Sequence, residues 1–271
     1  MKSEFLFSEA ALAGSTVVIV GGTGGLGLAA TRACVGAGAR VVAVGRDSEK
    51  AAALECELGA AVRVVLGNAE SAATSQRAVA VAVQEFGGLH GLYHVAGGSG
   101  RKWGDGPLHE ITNEGWEATL RLNLTSVFHS NQAAVRQFLA QGSGGTVVNC
   151  SSVLAFSPSP RFFTTHGYAA AKAAIIGLTT AAASHYAPQA IRFNVVAPAL
   201  VATAMSARAQ GDTEILDFIR TKQPLDGGRI GQPQDLDGAV VFLLSNASRF
   251  VTGQVIAVDG GWTVSEGKTA T

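Results

Sequence analysis

The sequence predicts an α/β fold: one parallel, doubly wound sheet of seven strands flanked by helices, in a single domain. Short β-branched runs alternate with helical stretches along the whole chain. The length, 271 residues, admits one large core and is short for two ordinary domains. Hydrophobic residues make up 47% and charged residues 15%, so most elements must be covered on more than one side, as in a parallel sheet between helical layers.

Taken in order, Thr16 to Val20 is a β-branched run that ends at a glycine cluster, and Gly25 to Gly38 then reads as a small-residue helix. Arg40 to Val44 is a second strand. Ser48 to Leu58 is a helix with Ser48 as its expected N-cap, and Val62 to Leu66 is a third strand. Ser71 to Phe86 is helical and Leu89 to Val95 extended. Thr112 to Ala140 reads as one long helix, with Thr112 as cap and Asn113-Glu114 in the first turn. Thr146 to Cys150 is strand five, His166 to His185 helix, and Arg192 to Val196 strand six. Pro233 to Leu244 is a helix with proline in its first turn, and Gln254 to Val258 is the last strand. Parallel neighbours need right-handed crossovers, so this alternation predicts a Rossmann-type sheet with its ligand at the carboxyl edge. The three least regular segments, Gly97 to Leu108, Ala155 to Thr165 and Ala199 to Arg229, all follow strands and so cluster at that edge.

Composition narrows the function. Lys plus Arg (20) equals Asp plus Glu (20), which provides no net field to draw in nucleic acid or an anionic membrane. Cys34, Cys56 and Cys150 are scattered, without the spacing of a zinc site or a disulfide framework, and are expected as reduced, small apolar residues; no metal is expected. Phe5-Leu6-Phe7 is interrupted by Glu4 and Glu9 before a signal-peptide core can form, and no apolar run reaches bilayer length. A cytoplasmic protein that acts on a small molecule is the expectation.

Val20-Gly21-Gly22-Thr23-Gly24-Gly25-Leu26-Gly27 joins the first strand to the first helix. There the chain must turn sharply, approach a pyrophosphate with bare backbone and aim a helix N-terminus at it, and glycine allows all three. At the tip of strand two stand Gly45, Arg46 and Asp47. A carboxylate there would hold an adenosine ribose, whereas a small residue followed by a guanidinium suits a 2′-phosphate, so NADP(H) is favoured and NAD(H), through Asp47, remains possible. Tyr168-Ala-Ala-Ala-Lys172 puts a phenol and an ammonium four residues apart on one helix face. A phenol can protonate an alkoxide formed by hydride transfer or take the proton back. A nearby ammonium is expected to lower its pKa from about 10 by roughly two units, about 2.7 kcal/mol.

These segments, in this order, resemble the short-chain dehydrogenase/reductase family over about Gly14 to Trp262. Gly21, Gly25 and Gly27 are similar to its TGxxxGxG loop, with Val20 where threonine is usual. The resemblance implies cofactor contacts from Gly21, Thr23, Gly24, Gly25, Leu26, Gly27 and Arg46. Asn68-Ala69 stands in place of Asp-Val, and His94-Val95-Ala96-Gly97 in place of Asn-Asn-Ala-Gly, with cofactor contacts at Asn68, Ala69, Ala96 and Gly97; His94 is either a packed core histidine or has a role of its own. Asn194 to Thr203 resembles N-x-V-x-P-G-x-x-x-T, with Ala199 for glycine, and implies contacts from Pro198, Val201 and Thr203. Tyr168 and Lys172 are implied both as catalytic residues and as ribose contacts. Ser152, with Ser151 as alternative, matches the catalytic serine, and Asn123 the residue that supports a proton relay. Arg229-Ile-Gly231-Gln-Pro233 and Asp259-Gly260-Gly261 are similar to signatures of the family's short branch.

The implied activity is hydride transfer between NADP(H) and a carbonyl or alcohol, in a homotetramer. The alternatives are a 3-oxoacyl-thioester reductase, for which Arg101-Lys102 hints at a basic patch, and a non-catalytic dinucleotide sensor or scaffold. Ser157 to His166 reads as an insertion. Residues 199–229 are expected to form a substrate lid, with Ile215, Leu216, Phe218 and Ile219 as one apolar wall and Phe162 and Phe163 as another.

Overall fold

The computed structural model describes residues 10–268, so the Phe5-Leu6-Phe7 segment lies outside the described residues. Seven strands form one sheet: β1 (Thr16–Val20), β2 (Arg40–Gly45), β3 (Val62–Leu66), β4 (Gly91–His94), β5 (Gly145–Cys150), β6 (Ile191–Pro198) and β7 (Val255–Val258). Their order is β3-β2-β1-β4-β5-β6-β7 and every pairing is parallel. The order reverses between β1 and β4, and that switch point opens a crevice beyond the strands' carboxyl ends.

The nine α-helical segments of the described residues are α1 (Gly25–Gly36), α2 (Ser48–Leu58), α3 (Ala72–Phe86), α4 (Asn113–Leu120), α5 (Ser126–Gln141), α6 (His166–Tyr186), α7 (Ala207–Gln210), α8 (Thr213–Lys222) and α9 (Asp237–Leu244). Residues of β1 alternate between two cores: Val17 and Ile19 pack on one face with Cys34, Val240 and Leu243, and Val18 and Val20 on the other with Ala78, Ala134 and Phe138. That two-sided burial is what the low charge content required.

Four expectations need correction. Asp47, not Ser48, caps α2: its carboxylate accepts from the Glu49 and Lys50 N–H groups at 3.0 and 3.1 Å. The long helix is not continuous, because residues 121–125 form a π-helical turn between α4 and α5. There Asn123 donates from Nδ2 to the Thr119 carbonyl at 3.0 Å, so a side chain takes an acceptor of the backbone ladder and the turn widens. Pro233–Leu236 is a separate 3₁₀ turn ahead of α9. Cys34 and Cys150 are buried but Cys56 is exposed. Thr112 does cap α4, accepting from the Gly115 N–H at 3.0 Å.

Candidate active site

The β1–α1 loop forms the floor of the crevice. Gly21 has φ +94°, and a Cβ there would lie 2.8 Å from the Ala96 nitrogen, so the loop can close against the end of β4 only as glycine. A Cβ on Gly27 would stand 2.0 Å from the Gly21 carbonyl oxygen, which seats the first turn of α1 on the loop. Thr23 fills the space a Cβ at Gly45 would need, 2.0 Å from its Oγ1. Among the described residues a cleft of about 430 Å³ runs over this loop. Its walls include Gly21, Thr23, Gly24, Gly25, Leu26 and Gly27 on one side, Arg46, Asn68 and Ala69 beyond β2 and β3, Ala96 and Gly97 beyond β4, and Pro198, Val201 and Thr203 beyond β6. Lys50, which the sequence reading did not single out, joins Arg46 there; its position one turn into the helix after the strand tip was the available signal. Asp47 does not line the cleft, and its carboxylate pairs with Lys50 at 3.5 Å.

Tyr168 and Lys172 close the far end of the same cleft with Ser152. Lys172 is buried and donates from Nζ to the Cys150 carbonyl at 2.8 Å, and this ammonium lies 5.5 Å from the centre of the Tyr168 ring. The two serines differ in what they touch. Ser151 donates to the Lys172 carbonyl at 2.7 Å and so ties β5 to α6, while Ser152, whose Oγ accepts from the Leu154 N–H at 3.2 Å, borders both the cleft and the small cavity together with Tyr168. Burial pushes the Tyr168 phenol upward, and the Ser152 contact lowers it in part. The downward shift expected from Lys172 alone is thus reversed, because desolvation of the phenolate exceeds the help from its neighbours. Burial also lowers the Lys172 ammonium.

Asn123 is fully buried behind this pair. Its Oδ1 accepts from the Gly98 N–H and its Nδ2 donates to the Gly98 carbonyl, both at 3.0 Å, which clips the π turn to the loop after β4. A Cβ on Gly97 would fall 2.8 Å from Asn123 Oδ1 and 3.4 Å from Lys172 Nζ, so both side chains border the space that a side chain at Gly97 would fill. His94 is a packed core histidine: Nδ1 shares a 2.7 Å hydrogen bond with the Ser130 hydroxyl, Nε2 lies 3.2 Å from the Ala96 carbonyl, and burial pushes it down to about 3. It is neutral at physiological pH.

Asp105 was also missed by sequence reasoning. Buried at 4% exposure, it accepts from the Gly167 and Tyr168 N–H groups at 2.8 and 2.9 Å. This carboxylate from a distant loop caps α6 where the phenol sits. A Gly-Asp-Gly in an irregular segment carries no such signal, because its partner lies 62 residues away.

Ser152 and Tyr168 also border a second, smaller cavity of about 180 Å³. Leu154, Phe163, Leu200, Met205 and Trp262 supply its apolar walls, and Arg101 and Arg208 line it as well. The expected wall from α8 is not there. Ile215, Phe218 and Ile219 are buried in a core with Val153, Ala209 and Trp262, and Leu216 is not among the lining residues. Phe162 packs on Phe218 at 5.1 Å between ring centres, leaving Phe163 alone of that pair at the cavity. The 157–166 segment is held by Trp262, whose indole donates to the Ser157 carbonyl at 3.1 Å. Among the described residues no group of three His, Cys, Asp or Glu side chains could hold a metal, and no helix is long and apolar enough to cross a membrane.

This crevice belongs to a dinucleotide-dependent oxidoreductase fold, and comparison with known proteins names the class. The profile of a family described as Enoyl-(Acyl carrier protein) reductase matches residues 21–263. The chain belongs to the short-chain dehydrogenase/reductase family, and is an enzyme of that family acting on CH–OH groups with a pyridine nucleotide.

Among its relatives, the 2-(S)-hydroxypropyl-CoM dehydrogenase 3 of Xanthobacter autotrophicus is 35% identical, covering 93% of this chain and 98% of its own. The 2-dehydro-3-deoxy-D-gluconate 5-dehydrogenase of Dickeya dadantii is 39% identical over 67% of this chain and 68% of its own. A gluconate 5-dehydrogenase from Burkholderia cenocepacia, solved with NADP and tartrate, is 32% identical, with TM-score 0.85 over 94% of this chain and 97% of its own. These likenesses favour a hydride-transferring dehydrogenase over an acyl-thioester reductase or a non-catalytic sensor.

Proposed function

We propose that the protein is an NADP(H)-dependent dehydrogenase/reductase that interconverts a small secondary alcohol and its ketone, with Tyr168 as acid and base. The carrying observation is that Tyr168 and Ser152 stand where the dinucleotide-sized cleft meets the small apolar cavity, with Lys172 at the phenol's face. The cradle fits a dinucleotide: a Cβ would meet open space at Gly24 and only ordinary contact with Thr203 at Gly25, so the loop offers bare backbone and the N-terminus of α1 to a pyrophosphate. When bound, the cofactor supplies or accepts the hydride.

In reduction, the Ser152 hydroxyl holds the substrate oxygen and the Tyr168 phenol gives it a proton. Burial keeps that proton on the phenol until the oxygen becomes basic enough to take it. Lys172 holds the nicotinamide ribose and stabilises the phenolate left behind, and Asn123 fixes the loop through which its proton is replaced. Arg46 and Lys50 receive the 2′-phosphate at the adenosine end, with Asp47 occupied by its helix cap. The relatives' names point to small polyhydroxy or hydroxyalkyl substrates. Residues 199–229 act as a lid over them, chiefly through Leu200 and Met205. Trp116, Phe128 and Leu139, exposed on α4 and α5, suit burial between chains of a homotetramer.

A screen of small ketones and polyols with NADPH and NADH tests this reading. Tyr168→Phe is expected to lower kcat by about 10²–10⁴-fold with cofactor binding intact. Arg46→Ala is expected to erase at least tenfold of the preference for NADPH. Full turnover in Tyr168→Phe overturns the assigned acid, and an NADH preference in the wild type overturns the NADP assignment.

A further inference from the structure

The small cavity beside Ser152 and Tyr168 has apolar walls interrupted by the hydroxyl side chains of Ser99, Thr165 and Ser206. Two guanidiniums, Arg101 from the loop after β4 and Arg208 from α7, line the same space. Each donates one N–H to a single acceptor, the Phe162 carbonyl, at 3.4 and 3.1 Å. An arginine has five N–H donors in a planar fork, so most of the hydrogen-bonding capacity of both remains after that contact. Neither has an ion-pair partner among the described residues. Asp105, whose charge acts on Arg101, accepts from the Gly167 and Tyr168 N–H groups, one on each oxygen. Burial first and the Arg208 charge second hold Arg101 below its ordinary value, against the opposing pull of Asp105. Two like charges brought together at the edge of an apolar cavity cost stability unless an anion joins them.

We propose that Arg101 and Arg208 form an anion clamp for the substrate, which carries a carboxylate, sulfonate or phosphate separated by a short apolar stretch from the carbonyl or alcohol that reacts at Ser152 and Tyr168. The space of about 180 Å³ lies below the roughly 300–1,000 Å³ of pockets for drug-sized ligands, so it suits a compact molecule rather than a long acyl chain. Leu154, Phe163, Met205 and Trp262 contact the linking carbons. Paired arginines match the planar fork of an oxyanion, which a lysine at either place would meet only as a point charge. The substrate class rests on the dehydrogenase reading given above; the binding of the anion does not.

The test separates the two. Calorimetry on the NADP⁺-saturated protein compares 4-oxopentanoate with its neutral amide, 4-oxopentanamide, in the wild type, in Arg101→Ala, Arg208→Ala and the double variant, and in Arg208→Lys. Sulfonate and phosphate analogues of the same ketone distinguish the anion. The clamp predicts that the wild type binds an anionic member at least tenfold more tightly than the amide. It also predicts that each single variant removes most of that ratio, that Arg208→Lys restores part of it, that binding of the amide changes less than twofold, and that the melting temperature of the ligand-free variants does not fall. Both arginines are exposed enough for these variants to fold. Equal binding of the acids and the amide, no binding of any anionic member, or a preference that survives the double variant overturns the clamp. Tyr168→Phe is run in parallel: it keeps the anion preference while turnover is lost. If the preference is present but the wild type turns over no ketone, the clamp stands and the dehydrogenase reading falls.

Discussion

Two adjacent serines with the same chemistry have different work because of where their hydroxyls fall. Ser151 is used up by the Lys172 carbonyl, whereas Ser152 keeps its oxygen at the junction of cleft and cavity. Ser152→Ala is therefore expected to lower kcat by about 10²-fold or more, on the scale of losing an oxyanion donor, with little change in melting temperature. Ser151→Ala should do the opposite: a buried hydrogen bond worth about 0.5–1.5 kcal/mol is lost and kcat falls far less. Steady-state kinetics beside a thermal melt distinguishes the two, and equal kinetic losses would remove the assignment. Sequence alone could not choose between them, since one residue of shift along a strand tip reverses which side chain faces the ligand.

At the scale of elements, the site depends on contacts between segments far apart in the chain. The phenol's helix is capped from the loop after β4, and the π turn that carries Asn123 is clipped to the same loop at Gly98. Asp105→Ala is expected to destabilise the protein by about 1–2 kcal/mol, the usual cost of a lost cap, and to lower kcat by roughly tenfold as the first turn of α6 frays around Tyr168. Affinity for NADPH should stay within twofold, and Asp105→Asn, which keeps an acceptor, should recover part of kcat. Stopped-flow binding with steady-state rates checks this; parallel loss of cofactor binding and kcat would mean that Asp105 only supports the fold. The apolar pattern of α8 was legible as one buried face, but not which way that face looks. Ile215, Phe218 and Ile219 turn to Trp262 and the core, because the Trp262 indole holds the 157–166 segment under the helix.

At the scale of the whole molecule, the half-buried Asp237 couples stability to pH. Asp237, at the start of α9, has an Oδ1 without a hydrogen-bond partner, and desolvation raises its pKa to about 7, with the Asp235 charge adding to the shift. Its unfolded value is near 3.8, so between pH 3.8 and about 7 the native state holds more protons than the unfolded chain and stability falls as pH rises. Above that window the penalty is complete. Asp237→Asn is expected to raise the melting temperature by about 2–4 °C at pH 8, about 1 kcal/mol for a chain this size, and to give no gain at pH 4. An equal gain at both pH values would show that charge is not the cause.

The alternation of strands and helices, the glycine cradle and the Tyr168–Lys172 pair were legible from the residues alone, because each is written in local spacing: period two for strands, four residues for a helix face, bare backbone where a phosphate must approach; the family entered as a resemblance that these motifs carry. Only the tertiary structure decided that Asp47 caps a helix, that Lys50 joins Arg46, that Asp105 holds the phenol's helix, and that Arg101 meets Arg208 over one carbonyl. The first two are local and turned on side-chain direction at the strand tip; the last two join residues 62 or more positions apart, and short-range spacing has no access to contacts that exist only after the sheet has ordered its loops.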